Sequence, residues 1–274
     1  MLSLVQATAL RGNAGQPLPG IYDALAKREA FICRGQVTLI VGPPSAGKSL
    51  LIMNLMARMR VPALGFFLDT DQLTCAARFG AVLTGDRFYE VKQSIDSYAG
   101  ALGQLGDVQT VFWADDMDDI RLQGEAYEQR YGVYPSLLVV DNLGNFTSGM
   151  GDEWALLKAM AWELDKLSKE WQCAVVAAHH TTDLITCEPA ARDKMLGKIS
   201  QYPRLILSVG FDPETSLYKI AVVKNSSGPT DKSAVNPVVM YADAARMQLS
   251  ENDPNWSPSS SVSAPVARQG WASV

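Results

Sequence analysis

A phosphate-binding pattern lies in the first third of the chain. The residues from Gly42 to Ser49 read GPPSAGKS and fit G-x-x-x-x-G-K-[ST], the P-loop pattern. Glycines at both ends let the backbone wrap a phosphate with its N–H groups pointing inward, and the helix starting near Lys48 adds its positive N-terminal end. Lys48 is expected to reach the β- and γ-phosphates, and the Ser49 hydroxyl to take one Mg²⁺ coordination site. The pattern predicts a nucleotide site for ATP and Mg²⁺, formed by Gly42, Pro43, Pro44, Ser45, Ala46, Gly47, Lys48, Ser49 and Leu50.

Acidic residues follow two other apolar segments. Asp141 ends the segment SLLVVD, where a Walker B aspartate would hold Mg²⁺ through water, so we predict Ser49 and Asp141 as the metal residues. Asp69 and Asp71 end the segment GFFLDTD. Hydrolysis needs a carboxylate that orients and polarises the attacking water, and we predict Asp69 for this role. An exposed acidic turn is the alternative interpretation.

A third apolar segment, AVVAAHHTT, ends in two histidines. A polar residue at this strand end could hydrogen-bond the γ-phosphate and transmit its loss to the next loop. We predict His179 for this role, with His180 as the alternative. Plain strand-end histidines remain the other interpretation.

Composition limits the class of protein. The chain has 274 residues, of which 47% are hydrophobic and 19% charged, which suits an ordinary folded core. The four cysteines lie far apart and form no CxxC pair, and no signal peptide or bilayer-spanning apolar run is evident. We therefore expect a cytoplasmic protein without a membrane partner. The net charge of -5 argues against nucleic-acid binding over the whole surface but allows a local basic channel.

The elements that must position these residues alternate between buried strands and helices. Continuous apolar segments at 37–41, 65–68, 111–113, 137–140, 173–178, 205–209 and 218–223 predict strands covered on both faces. An amphipathic helix follows residue 151. This alternation predicts an α/β domain over residues 18–249, after an N-terminal lead of 1–17. Residues 250–274 are rich in Ser and Pro, which predicts a disordered tail.

Together these segments resemble a known family. RGQVTLIVGPPSAGKS, FFLDTD, LLVVDNL, VVAAHH and KNSSGPTD occur in the order found in the RecA-like ATPase core of DnaB-type replicative helicases and their phage relatives. The resemblance covers most of residues 18–241. It implies a RecA-like P-loop NTPase with a mainly parallel central sheet, flanking helices and antiparallel edge strands. It also implies a homo-oligomer, a hexameric ring or a filament, with ATP between subunits and single-stranded DNA held by central loops.

The resemblance assigns further roles and shows two departures. Lys224 matches the family lysine that reaches the γ-phosphate of a neighbouring subunit, and we predict it as a catalytic residue. Ser226 stands where the family has an arginine, so we expect either weak hydrolysis or a substitute such as Arg204. Asp69 stands where the family usually has glutamate. Residues 181–204 form the predicted DNA loop, with basic contacts from Arg192, Lys194, Lys198 and Arg204.

Three functions are compatible with these motifs. The first is an ATP-hydrolysing motor on single-stranded DNA, a helicase core in phage-type DNA replication. The second is a RecA-like recombination or annealing ATPase with the same motifs. The third is a small-molecule P-loop kinase, although we find no cluster of lid arginines and KNSSGPTD would be unexplained.

Overall fold

A nine-stranded sheet forms the centre of the described part of the chain. The computed structural model describes residues 3–146, 153–182, 185–194 and 199–252. The strands are β1 Gln36–Val41, β2 Ala63–Phe67, β3 Val108–Val111, β4 Leu137–Asp141, β5 Ala174–His179, β6 Leu205–Asp212, β7 Leu217–Asn225, β8 Val238–Asp243 and β9 Gln248–Ser250. The α-helices are α1 Leu4–Ala9, α2 Asp23–Ala26, α3 Lys48–Met59, α4 Gln72–Thr84, α5 Phe88–Gln93, α6 Ala99–Leu102, α7 Met117–Tyr131 and α8 Glu153–Glu170.

The sheet has a parallel part and an antiparallel edge. Its strand order is β3-β2-β4-β5-β1-β6-β7-β8-β9. The pairs from β3 to β6 are parallel, whereas β7, β8 and β9 join antiparallel. Helices cover both faces of the parallel strands, which explains why these strands are continuous apolar runs. The predicted α/β, RecA-like fold with a mainly parallel sheet and antiparallel edge strands is confirmed.

The core has two layers, one on each face of the sheet. Alternate residues of a strand point to opposite faces, so Ile40 joins one layer while Leu39 joins the other. Helices α3 and α4 pack in the first layer, and α7 and α8 pack in the second. Helix α3 is buried almost all round, because it lies between the sheet and the C-terminal segment. Its Asn54 is fully buried and donates to the backbone carbonyl of Met247 over 2.9 Å.

The strand register brings the predicted site residues to one edge. Val41 at the end of β1 pairs with His179 at the end of β5. Phe67 at the end of β2 pairs with Asp141 at the end of β4. Because these strands are parallel, their carboxyl ends and the loops that follow them meet at the same edge of the sheet.

Several element boundaries differ from the sequence prediction. The third predicted strand, at 111–113, was wrong in position, because β3 ends at Val111 and Trp113 lies beyond it with 58% of its surface exposed. Strands β8 and β9 were not predicted. Ser250 belongs to β9 rather than to the predicted tail, and Glu251 accepts hydrogen bonds from the N–H groups of Asp23 and Ala24. The rest of that tail, residues 253–274, lies outside the described residues. Within the described part of the chain, no helix is long and apolar enough to span a bilayer.

Candidate nucleotide site

The P-loop glycines occupy positions that no side chain would fit. A Cβ atom at Gly42 would lie 2.9 Å from the Val209 carbonyl oxygen. Gly47 has a φ of +82°, and a Cβ there would lie 2.6 Å from the Tyr218 ring. The buried Tyr218 hydroxyl also donates to the Gly47 carbonyl over 2.9 Å. These contacts fix the turn that leads from β1 into α3, whose backbone amides are predicted to bind phosphate.

Lys48 is buried within this turn, with 7% of its surface exposed. Its Nζ donates to the carbonyl oxygens of Gly42 and Pro43 at 2.9 and 2.8 Å, and it lies 3.3 Å from Nδ1 of His180. An ammonium group has three hydrogens, so these three neighbours account for all of them. A phosphate that enters the turn can replace the two carbonyls as the acceptor.

The charges around Lys48 are strongly perturbed. Burial lowers the pKa of Lys48 to about 8, while the carboxylates of Asp141 and Asp69 act in the opposite direction. Burial raises the pKa of Asp141, which a hydrogen bond from Ser49 and the Lys48 ammonium partly offset. The side chains predicted for phosphate, metal and water thus interact with one another directly. Of the other P-loop residues, Ala46 and Leu50 are buried, whereas Pro44 and Ser45 are not fully covered.

The two aspartates after β2 have different surroundings. Asp71 caps α4 by accepting from the backbone N–H and the hydroxyl of Thr74, at 2.8 and 2.6 Å. Asp69 is exposed and accepts from the side-chain amides of Asn142, at 2.8 Å, and of Asn145. Asp69 therefore lies near the P-loop, as its predicted role requires, whereas Asp71 caps helix α4.

The two histidines after β5 also differ. His179 is the last residue of β5, and its backbone carbonyl accepts from the Gly42 N–H over 3.3 Å. His180 places its ring between Lys48, 3.3 Å from Nδ1, and the Asn142 amide, 3.3 Å from Nε2. The second histidine, which the sequence offered as the alternative, is thus joined to the P-loop lysine. Burial and Lys48 lower the pKa of His180, which favours a neutral ring at pH 7.

Asn142 and Asn145 were missed by the sequence prediction. Asn142 directly follows Asp141, and Asn145 lies in a short 3₁₀ helix, Leu143–Phe146. Asparagine after a strand is typical of an ordinary turn, so the residue type alone gave no functional signal. The position of Asn142 next to a Walker B aspartate was the signal that could have identified it.

Three cations gather away from the P-loop. Lys224 at the end of β7 donates to the backbone carbonyls of Ser200 and Gln201, at 2.7 and 3.4 Å. Burial lowers the pKa of Lys224, and the positive charges of Arg192 and Arg204 lower it further. Among the described residues, no ion pair joins these three cations to a carboxylate. We call Arg192, Arg204 and Lys224 the cation cluster.

The remaining predicted DNA contacts lie near this cluster or outside the described chain. Arg192 and Lys194 form a 3₁₀ turn, and the Lys194 carbonyl accepts from the backbone N–H of Thr182. The backbone N–H of Arg192 donates to the Lys232 carbonyl over 3.0 Å, which ties two loops together. Lys198 lies outside the described residues. The predicted DNA residues that the structure describes therefore lie in one region together with Lys224.

A cavity of about 470 Å³ lies at the antiparallel edge of the sheet, and residues of β6, β8 and β9 line it. Phe211 forms part of its wall, and the Cβ of Phe211 would lie 3.6 Å from a Cβ at Gly47. Tyr241, Arg87 and Arg246 also line it, with Arg246 paired to Asp243 over 2.8 Å. The cavity offers aromatic faces and guanidinium groups, and Phe211 links its wall to the P-loop glycine Gly47.

Comparison with known proteins extends this description. A model of the AAA domain family matches residues 27–183. The Gene 65 protein of Mycobacterium phage L5 is 28% identical over 262 residues, which cover 90% of this chain and 97% of that protein. The Gene 65 protein of Mycobacterium phage D29 is 27% identical over 79% of this chain and 100% of its own length.

Two solved structures share the fold at low identity. One is a DnaB-like replicative helicase, reported with its interactions with primase, with a TM-score of 0.74 and 12% identity. That match covers 90% of this chain, and this chain spans 66% of the helicase chain. The other is the ATPase domain of a second protein, with a TM-score of 0.72, 12% identity and coverage of 91% of this chain and 96% of that domain. The predicted resemblance to the DnaB-type core is confirmed at the level of the fold.

Proposed function

We propose that this chain, which belongs to the AAA domain family, is an ATP-hydrolysing motor that acts on single-stranded DNA. One observation carries the proposal. Lys48, Asp69 and His180 follow three different parallel strands, β1, β2 and β5, and yet belong to one network of contacts at the carboxyl edge of the sheet. A lysine, an acid and a hydrogen-bonding ring in this arrangement supply the groups that phosphoryl transfer to water requires.

The phosphates bind in the P-loop turn. The backbone amides between Gly42 and Ser49 surround them, and the N-terminal end of α3 adds its positive field. Lys48 exchanges the carbonyls of Gly42 and Pro43 for the β- and γ-phosphate oxygens. This exchange favours the charged form of Lys48, because an anion replaces neutral dipoles beside a desolvated ammonium group.

The donor set fits Mg²⁺. Ser49 and Asp141 offer one hydroxyl and one carboxylate, which are hard oxygen ligands, and they already contact each other. They would hold the ion together with phosphate oxygens and water. Bound Mg²⁺ would neutralise charge on the β- and γ-phosphates.

Asp69 orients the attacking water. Its carboxylate is exposed and lies in the same network as the P-loop lysine, so it can accept a hydrogen bond from a water molecule in line with the γ-phosphate. His180 lies between Lys48 and Asn142 and donates a hydrogen bond to the γ-phosphate. Loss of that phosphate is then transmitted to the loop after β5, which leads to Arg192.

The nucleoside part occupies the cavity beside Phe211. A base can stack on the aromatic side chain of Phe211, which lies beside Gly47, or on Tyr241 in the same cavity. We expect Tyr241→Ala to weaken ATP binding by about tenfold without changing the turnover number, because it touches no reacting atom. Equal affinities of the variant and the wild type would place the base elsewhere.

The cation cluster is the proposed contact with external phosphates. Arg192 and Arg204 bind the backbone of single-stranded DNA, and Lys224 reaches the γ-phosphate held by a neighbouring copy of the chain. Two observations support this assignment: Lys224 lies close enough to both arginines for their charges to lower its pKa, and no ion pair within the described chain joins the three cations to a carboxylate. A homo-oligomer, as a hexameric ring or a filament, would bring Lys224 to a second nucleotide.

One experiment tests the proposal. ATP turnover is measured with and without single-stranded DNA, and the mass of the particle is measured under both conditions. We expect turnover to rise with DNA and the mass to be a multiple of 29.7 kDa. Turnover that is independent of DNA and rises with a small-molecule acceptor would favour a kinase. Pairing of complementary strands without strand separation would favour an annealing ATPase.

A further inference from the structure

Tyr218 supports the P-loop turn from a distant part of the sequence. It lies on β7, is fully buried, and its hydroxyl donates to the Gly47 carbonyl over 2.9 Å. A carbonyl can only accept, so the direction of this hydrogen bond is fixed. Burial raises the pKa of Tyr218 well above its usual value, so the hydroxyl keeps the proton that it donates. The turn is thus tied to a residue 171 positions further along the chain.

The Gly47 carbonyl accepts two hydrogen bonds. One comes from the Tyr218 hydroxyl, and the other comes from the Leu51 N–H over 3.2 Å, in the first turn of α3. A carbonyl oxygen has two lone pairs, so both are used. One donor belongs to the helix and the other to the sheet, and together they hold the carbonyl in one direction.

The direction of this carbonyl sets the direction of the next N–H group. The Gly47–Lys48 peptide is trans and planar, so the Lys48 N–H points to the opposite side from the Gly47 carbonyl. Within the described residues, no backbone carbonyl accepts from this N–H, as is usual in the first turn of a helix. It is one of the amides that the proposed function assigns to the phosphates.

Gly47 is also the residue whose peptide rotates most easily. Its φ is +82°, and a Cβ atom there would lie 2.6 Å from the Tyr218 ring, so the packing requires glycine. Glycine adopts positive and negative φ about equally well, so it does not hold the turn in one conformation by itself. The Tyr218 ring fills the space beside Gly47 and the hydroxyl holds its carbonyl, so both parts of this side chain oppose the rotation.

We propose that Tyr218 is a positioning residue for the triphosphate, which holds the Gly47–Lys48 peptide with its N–H directed at the phosphates. The inference rests on the proposed function for the place of the phosphates. Tyr218 touches no phosphate itself, because its hydroxyl lies on the carbonyl side of the peptide. It acts by arranging the turn before the anion arrives, which lowers the cost of binding.

The peptide is observed by NMR of the intact chain. Protein labelled with ¹³C at the glycine carbonyls and with ¹⁵N at lysine gives joint signals only from Gly-Lys pairs, which the sequence contains at 47–48 and 197–198. Lys198→Arg removes the second signal and so assigns the first. Without ligand, we expect Tyr218→Phe to move the Gly47 carbonyl resonance upfield, because the carbonyl loses a donor while the ring is kept.

The wild type gives a second result that needs no variant. Saturating inorganic tripolyphosphate should move the Lys48 amide resonance, because its N–H gains an anionic acceptor. An amide resonance that does not move would overturn the inference. An unshifted Gly47 carbonyl in Tyr218→Phe would overturn it as well.

Two ligands separate support of the phosphates from contact with the base. Titration calorimetry gives the affinities for Mg-ATP and for tripolyphosphate, which has no base. We expect Tyr218→Phe to weaken both about 5- to 10-fold, the effect of one lost hydrogen bond. The kcat for ATP should change less than about threefold, because the side chains of Lys48 and Asp69 are untouched. Tyr241→Ala, at the proposed base site, should weaken binding of ATP alone.

Tyr127→Phe is the matched control. The buried Tyr127 hydroxyl donates to the Asp107 carbonyl over 2.7 Å, in the core layer on the other face of the sheet from Tyr218. This variant loses the same group and should keep both affinities. An equal loss of affinity in the control, or a Tyr218 variant that binds tripolyphosphate as the wild type does, would contradict the positioning role. A wild type that binds ATP but whose turnover is independent of DNA would refute the proposed motor, while the affinities would still decide the role of Tyr218.

Discussion

The charged groups of the nucleotide site and those of the cation cluster have opposite surroundings. In the nucleotide site the Lys48 ammonium is buried and surrounded by carbonyls, carboxylates and a neutral ring, so each charge has a partner within the chain. In the cation cluster, Lys224 lies near two arginines that disfavour its charged form. The charges of the first region have partners of opposite or neutral character within the chain, whereas an external anion would relieve the repulsion between Lys224 and the two arginines of the second. The contrast supports the proposal that the nucleotide site performs the chemistry and that the cation cluster binds a partner.

The largest expected effect is at Lys48. We expect Lys48→Ala to reduce ATP hydrolysis at least ~10³-fold, because the transferring phosphate loses the ammonium group that is buried in the P-loop turn. Far-ultraviolet circular dichroism should remain unchanged, since the alanine suits the first turn of α3. Turnover at the wild-type rate would rule out the P-loop assignment.

Substitution of Lys224 tests the proposed catalytic role of the cation cluster. We expect Lys224→Ala to lose about 10²-fold of the turnover measured with single-stranded DNA, because a cation that stabilises the transferring phosphate is removed. ATP affinity should stay the same, since Lys224 contacts backbone carbonyls of residues 200 and 201 rather than the P-loop. Lys158→Ala, on the exposed side of α8, is the matched control. Wild-type behaviour of the Lys224 variant would remove this residue from the mechanism.

The burial of Lys48 should be visible in stability as well. Its folded pKa of about 8 lies below the ordinary value of 10.5, so the unfolded chain binds more protons between these pH values. The free energy of unfolding of the wild type without nucleotide should therefore rise as the pH increases through this window. We expect Lys48→Met to be more stable by about 1–2 kcal/mol at pH 7, with an advantage that shrinks above pH 8.

Urea denaturation of both proteins from about pH 7 to about pH 10 measures this difference. Parallel stability curves over the whole range would show that Lys48 carries no burial cost. The burial of Lys48 would then no longer distinguish the nucleotide site from the cation cluster.

The smallest expected effects concern DNA affinity. We expect Arg192→Ala and Arg204→Ala each to weaken binding of single-stranded DNA several-fold at moderate salt. The salt slope, which is the change in the logarithm of the binding constant with the logarithm of the salt concentration, should become smaller in magnitude by about 0.7. Each arginine is expected to neutralise one phosphate, and binding should weaken equally for different sequences. Fluorescence anisotropy at several salt concentrations gives both quantities. A salt slope equal to that of the wild type would show that these arginines do not meet DNA.

The nucleotide site could be predicted from sequence because its signals are local. Gly42, Gly47 and Lys48 lie within one short turn, and Asp141 ends a strand that is visible as an apolar run. The fold class followed from the same runs, because strands covered on both faces leave a continuous apolar pattern. Strands β8 and β9 lack that pattern, since they lie at the antiparallel edge and β9 has three residues.

The finer geometry depended on side-chain directions that the sequence does not show. His179 and His180 are neighbours, but His179 completes β5 while the next residue turns toward Lys48. The contacts of Asn142 are with two residues that are distant in sequence, Asp69 and His180. The proximity of Lys224 to Arg192 likewise depends on how the end of β7 packs against the 3₁₀ turn that contains Arg192, which no local pattern encodes.

The most direct measurement is steady-state ATP turnover of the intact chain, with Mg²⁺, at increasing concentrations of single-stranded DNA. We expect turnover to rise about tenfold or more and then to saturate, and we expect Lys224→Ala to remove this rise while retaining ATP binding. A turnover rate that is independent of DNA, with ATP bound at the P-loop, would contradict the proposed link between the nucleotide site and the cation cluster.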